Sequence, residues 1–291
     1  MKLSTLSLDH LGLVAAIFGA LGISELIDGL IPKTRECKLS HSEIIKALII
    51  NGLGFVERRL YIFPSYFENL ALERLFHPGV VSTDFNEDVV GRTLDKINGY
   101  GSTKLFNQIA MKCMRQLSFS TQIYHVDTTS FSVHGDYEGP DCMPAMEITL
   151  GHPKDGRWDL KQFVISMITN QCGIPLFVQA HSGNKSDKKT LIETIQAFKS
   201  NLDFSEKGYF AADSAFFSSE NIRPLGDETL WITHVPTTVG EVKAFLKRDL
   251  EMKTCSDDRY SIFETDINYG GIDQKWVVVD SREMHITHIS H

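Results

Sequence analysis

Through the first 118 positions apolar residues recur at helical spacing, and near Phe119 that pattern gives way to short β-branched runs separated by turn residues. Leu11, Val14, Ala15, Phe18 and Leu21 share one helical face and predict a buried helix. Ser40-His41-Ser42-Glu43 has the form of a capping box, in which the serine and glutamate side chains each satisfy a free backbone N–H of the other. It opens a helix through Ile44 to Ile50, which Gly52 and Gly54 stop. Two more helices are expected. One runs from Asn86 or Glu87 to Ile97 and is closed by the Asn98-Gly99 turn signal; the other runs from Ser102 to about Leu117.

Beyond Phe119 the expected strands are Ile123 to Val133, Met146 to Thr149, Gln162 to Thr169, Pro175 to Ala180 and Tyr209 to Ala212. A helix from Lys188 to Phe198 follows Asp187 as its N-cap. Leu230 to Val235 and Trp276 to Val279 add strand, with Gly270-Gly271 as a turn. Strands, a helix and then a strand ending on an acid imply an α/β sheet behind an all-helical domain, with the boundary at residues 118 and 119.

Composition narrows the function. The chain has 291 residues, 42% hydrophobic and 23% charged, enough for about two domains with real cores. A net charge of -8 argues against holding DNA by overall electrostatics, so any nucleic-acid surface must be local. Cys37, Cys113, Cys142, Cys172 and Cys255 are odd in number and form no CxxC pair, which fits reduced thiols in the cytoplasm. The apolar stretch Leu11 to Ile23 is too short to span a bilayer, and Asp9 and His10 directly precede it, unlike a signal peptide. No membrane association is expected.

The candidate chemistry lies in two aspartates. Asp127 interrupts Tyr124-His125-Val126-Asp127-Thr128-Thr129-Ser130-Phe131, a β-branched and aromatic run of the kind from which aspartate is normally depleted. Asp213 ends the apolar run Gly208 to Ala212. Each has an ordinary reading: Asp127 bonding the hydroxyls of Thr128 or Thr129, and Asp213 capping the stretch that follows. Taken as a pair on adjacent strands, they would repel unless a divalent cation lay between them. Hard oxygen ligands suit Mg²⁺ or Mn²⁺, and such a site serves in-line phosphoryl transfer. The basic residues of the helical part, such as Arg92, Lys96 and Lys104, are interleaved with acids and read as a solvated face rather than a phosphate track.

Several blocks of this sequence resemble the insertion-sequence transposases of the IS-four-like group. They are His125 to Phe131, Asp159-Leu160-Lys161-Gln162-Phe163, Gly183-Asn184-Lys185-Ser186-Asp187, Ala212-Asp213-Ser214-Ala215 and Trp231-Ile232-Thr233-His234-Val235-Pro236, in the family's order. Asp9 to Val14 and Lys46 to Phe55 resemble the helical domain that precedes the core in one branch of the group. The resemblance implies an RNase H-like mixed-sheet core over 119–291, with a β-rich insert at about 214–280, behind the helical domain of 1–118. It further implies an Asp-Asp-Glu site in which Asp127 and Asp213 are the first two acids and bind Mg²⁺ or Mn²⁺.

On the same basis Arg157, Lys161, Lys185, Lys188 and Lys189 are candidate DNA contacts, the last three close to a helix N-terminus that also attracts anions. Gly156 and Trp158 depart from the histidine and proline usual in relatives. The family's third acid, a glutamate, is unassigned, because the chain ends soon after Trp276-Val277-Val278-Val279 and nothing around Glu283 matches. The core is therefore expected to be truncated at its C-terminus. The histidines His285, His288 and His291 are expected to lie in an unstructured tail.

The implied function is cleavage of transposon ends and strand transfer into target DNA by a homo-oligomer. The alternative is a non-catalytic DNA-binding or oligomerising fragment that inhibits the full-length enzyme.

Overall fold

The computed structural model describes residues 5–33, 37–54, 59–119, 121–137, 146–200, 208–226, 229–245 and 247–281. The chain divides into two units: Met1–Ser120 with Pro175–Val178, and Thr121–Ile174 with Gln179–His291. Helices come first and a mixed sheet with further strands follows, so the fold is of the α/β class. Glu283 and the three tail histidines lie outside the described residues.

The first unit is helical: α1 Leu11–Ala20, α2 Ile23–Leu30, α3 His41–Leu53, α4 Phe63–Phe67, α5 Leu72–Leu75, α6 Glu87–Tyr100 and α7 Ser102–Leu117. The capping box forms as expected. Ser40 N donates to Glu43 Oε2 at 2.9 Å, and Glu43 N donates to Ser40 Oγ at 3.3 Å. Asp28 reinforces this helix start by accepting from the backbone N and hydroxyl of Ser42.

Two expectations change here. The first apolar run breaks at Gly22, which takes the left-handed conformation (φ +59°) and starts α2 in a new direction. Asn98-Gly99 does not close α6, which continues to Tyr100 and turns only at Gly101; Ile97 and Tyr100 pack on the cluster of Phe18, Ile27, Ile31 and Leu105, and this packing outweighs the turn signal. The larger core sets three buried rings among aliphatic side chains such as Ile44, Ile50 and Leu75. Phe63, Phe67 and Phe85 are fully buried, Phe67 and Phe85 are stacked at 4.3 Å, and each such ring contributes roughly 1.5–3 kcal/mol by burial.

In the second unit, with Pro175–Val178 of β3 grouped with the first, β1 Ile123–Val133, β2 Lys161–Asn170, β3 Pro175–Ser182, α8 Asp187–Ser200, β4 Tyr209–Ala212, α9 Ser219–Ile222 and β5 Leu230–Thr233 follow in sequence. The sheet order is β3-β2-β1-β4-β5. β1 is antiparallel to β2 and parallel to β4, and β4 is parallel to β5. This is the RNase H-like arrangement. α10 Gly240–Phe245 then leads into a separate sheet of β6 Lys253–Thr254, β7 Tyr260–Tyr269 and β8 Ile272–Ser281. The β7–β8 hairpin turns through Gly270 (φ +59°) and Gly271 (φ +80°), the pair of positive φ values that a two-residue hairpin of matching twist requires. β5 lies within the stretch expected to be insert, yet it is the fifth strand of the main sheet.

Alternation decides which face of the main sheet is covered. Tyr124, Val126 and Thr128 of β1 are buried, whereas His125, Asp127 and Thr129 are exposed. α8 packs on β1 and β2, and Tyr124 meets Phe198 of α8 at 5.5 Å and Phe210 of β4 at 5.1 Å. Phe131, Met167, Tyr209, Leu230 and Ile232 are exposed. Met146 to Thr149 is not a strand: Thr149 alone forms a two-bond bridge to Gln162, since the start of β2 pairs with it at that single position. Asp187 is the first residue of α8 rather than the residue before it.

Candidate metal and phosphate site

Asp127 and Asp213 are brought level by strand register. Val126 pairs with Ala212 across parallel strands; Asp127 follows within β1, and Asp213 is the first residue past the end of β4. Adjacent strands lie about 4.8 Å apart, so the carboxylates leave neighbouring backbones at the same height. Both residues are exposed, and the Asp127 side chain retains 80% of its accessible surface. β4 is also paired with β5, Ala212 with Thr233, so His234 stands at the same level one strand further on. It too is exposed. Thr233 Oγ1 donates to the Asp213 carbonyl at 2.6 Å, which ties the end of β5 to the end of β4.

The ordinary uses of the two aspartates are partly realised. Asp127 Oδ1 accepts from the backbone N of Thr128 at 2.7 Å, rather than from a threonine hydroxyl. Asp213 Oδ1 accepts from Ala215 N at 3.0 Å and caps the single 3₁₀ turn Ser214–Phe216. These bonds use Oδ1 in both residues, and among the described residues no hydrogen bond reaches either Oδ2. One cation approaches: Lys154 Nζ lies 3.9 Å from Asp127 Oδ1 and donates to the Thr128 carbonyl.

Two solvated carboxylates with hard, free oxygens suit an ion that keeps several of its waters, as Mg²⁺ does. They do not make a complete protein cage. Among the described residues no three His, Cys, Asp or Glu side chains converge well enough to hold a metal ion.

The basic residues expected to touch phosphate are placed elsewhere. Arg157 is forked onto Asp159, with Nε to Oδ1 at 2.9 Å and Nη2 to Oδ2 at 2.8 Å, and this pairing holds the Asp159 carboxyl at about 2. Lys161 opens β2 opposite Val133 and donates to the Asp136 carbonyl. Six residues of β1 separate that level from Asp127, roughly 20 Å along the strand. Lys185 is paired with Glu193, while Lys188 and Lys189 are exposed in the first turn of α8. Gly183 joins the β3–α8 turn to the start of β2: Gln162 Nε2 donates to its carbonyl at 2.7 Å, and a Cβ there would overlap the Gln162 carbonyl. Lys185 and Lys161 thus belong to one end of the sheet, and the two aspartates to the level at which β4 ends.

Motif reading gave neither Lys154 nor His234 a role, although His234 lies within the block Trp231 to Pro236. Extending the parallel pairing of β4 and β5 by one residue finds His234, but no spacing rule brings a loop lysine back to the strand that precedes it.

The comparisons with known proteins are sparse. Residues 3–111 match the model of a family described as a domain of unknown function, DUF4277. No curated protein matches the chain. The crystal structure of the Mos1 strand transfer complex aligns over 77% of this chain and 76% of that one, at 12% identity and a TM-score of 0.24, an overlap too loose to carry an argument. Among the described residues no single helix is long and apolar enough to cross a membrane.

Proposed function

We propose that this chain acts on DNA as a transposase-type phosphoryl-transfer protein, with Asp127 and Asp213 as ligands for Mg²⁺ or Mn²⁺. The observation that carries the reading is the register of β1 and β4, which brings exposed Asp127, midway along β1, level with exposed Asp213 just past the end of β4 in an RNase H-like sheet. The motif blocks that resemble insertion-sequence transposases, Asp127 and Asp213 among them, support the same reading.

A divalent cation bound there would neutralise charge on a phosphodiester and favour formation of the attacking oxygen nucleophile. The protein's part is positional. The Thr128 N–H orients the Asp127 carboxylate, and the Ala215 N–H with the Thr233 hydroxyl fixes the end of β4 that carries Asp213. The substrate would be the element's terminal repeats and target DNA, engaged by a homo-oligomer.

Incubation of the full chain with supercoiled plasmid and Mn²⁺ tests this directly. Nicking is expected, with loss in Asp127→Asn and in Asp213→Asn; equal nicking by both variants would sink the assignment. The second reading, a DNA-binding chain without cleavage, is favoured by the absence of a third convergent ligand among the described residues. It predicts plasmid retardation with no nick under the same conditions.

A further inference from the structure

The loop before β2 is fastened to β1 immediately beyond Asp127, residue by alternate residue. Lys154 Nζ donates to the Thr128 carbonyl, Lys154 N donates to Ser130 Oγ at 3.1 Å, and Ser132 Oγ donates to Asp155 Oδ2 at 2.8 Å. Arg157 N closes the loop on Asp155 Oδ1 at 3.1 Å. Ser130 and Ser132 present their hydroxyls to the loop from alternate positions of the strand, and Thr128 presents its backbone carbonyl. The result is a lysine whose backbone and ammonium are both held, with the ammonium 3.9 Å from Asp127 Oδ1 and 47% of its side-chain surface still accessible.

We propose that Lys154 is the resident counter-ion of Asp127, which a divalent cation displaces and which is then free to pair with a phosphate of the bound nucleic acid. This rests on the metal-binding reading of Asp127. An ammonium beside the same carboxylate oxygen repels an incoming dication, so the lysine weakens metal binding. Its long stem can turn outward while the Lys154 N–Ser130 bond keeps the loop in place. A phosphodiester brought to the metal meets a positive charge already at its side.

Mn²⁺ titration followed by electron paramagnetic resonance, on the full chain and on Lys154→Met, Asp127→Asn and the double variant, tests the displacement. Lys154→Met is expected to bind Mn²⁺ about fivefold more tightly, near the upper end for an exposed ion pair. Asp127→Asn should lose the site in either background. Asp127-dependent binding of equal affinity in the wild type and Lys154→Met overturns the counter-ion role alone. Binding that ignores Asp127 in both backgrounds, or no binding in either, overturns the metal reading as well.

The second step is read with a random-sequence DNA duplex and Ca²⁺ in place of a catalytic metal. The wild type should then show a salt dependence steeper by about one phosphate contact than Lys154→Met, and the same dependence as the variant in EDTA. Equal slopes in Ca²⁺ would contradict the phosphate contact.

Discussion

The two faces of one sheet treat polar side chains in opposite ways. On the face covered by α8, Ser166, Thr190, Thr194 and His181 are buried, and they answer one another: Ser166 Oγ lies 2.8 Å from His181 Nε2 and 2.7 Å from Thr194 Oγ1, while Thr194 also bonds the Thr190 carbonyl at 2.6 Å. On the other face Asp127 is exposed, and its bonds are to its own neighbour and to one lysine. A buried polar group must find partners within the fold because leaving it unpaired costs about 1–3 kcal/mol. An exposed carboxylate in a strand solves no such problem, and the proposed cation gives its presence in a β-branched run a use.

That contrast can be broken most forcefully on the exposed side. Asp127→Asn and Asp213→Asn should each lower Mn²⁺-dependent plasmid nicking by at least about a thousandfold, because a metal contributes several kcal/mol to such a transition state. The buried side should respond to acid instead. Burial, helped by the nearby Lys185, pushes His181 down from 6.5 to about 4. The unfolded chain therefore binds a proton that the folded chain refuses between those values, so the stability His181 retains above about 6.5 falls away as pH drops toward 4. At about 1.4 kcal/mol per pH unit, the loss reaches a few kcal/mol. Urea unfolding at pH 7 and pH 4.5 would show it, and His181→Asn should flatten this part of the acid limb.

Smaller effects sharpen the difference. Ser166→Ala leaves the His181 ring nitrogen without its bond and should cost roughly 1–3 kcal/mol in the same assay. Asp127→Asn should change stability by less than about 0.5 kcal/mol, since an exposed side chain supports little packing. A large loss from Asp127→Asn would make that aspartate a structural residue and remove the contrast.

Much of this arrangement was legible in the chain. β1 was bounded correctly from Ile123 to Val133, β4 from Tyr209 to Ala212, and the capping box at Ser40 announced α3, because each signal is local and the structure honours it. Helices α4 and α5 were not legible, since segments of this length contain too little periodicity, and Phe67 of α4 finds Phe85 only after folding. β7 was also missed; the exposed positions of its alternation carry Glu264, Asp266 and Asn268, and acids and asparagine are depleted in strands. In the candidate site the two aspartates stood out through an unfavourable residue type for a strand. Their alignment needed the β1–β4 register, and Lys154 needed the tertiary course of a loop. Lys161, Lys185 and Arg157 stood out by charge and motif, yet each holds a surface partner of its own within the chain.

The most direct test of the paired aspartates is Mn²⁺ binding to the full chain at neutral pH, with Asp127→Asn and Asp213→Asn beside it. A site present in the wild type and lost in both variants, with their unfolding curves unchanged, is the predicted result. Binding that survives both substitutions, or no binding in any of the three proteins, would contradict the assignment of Asp127 and Asp213 as metal ligands.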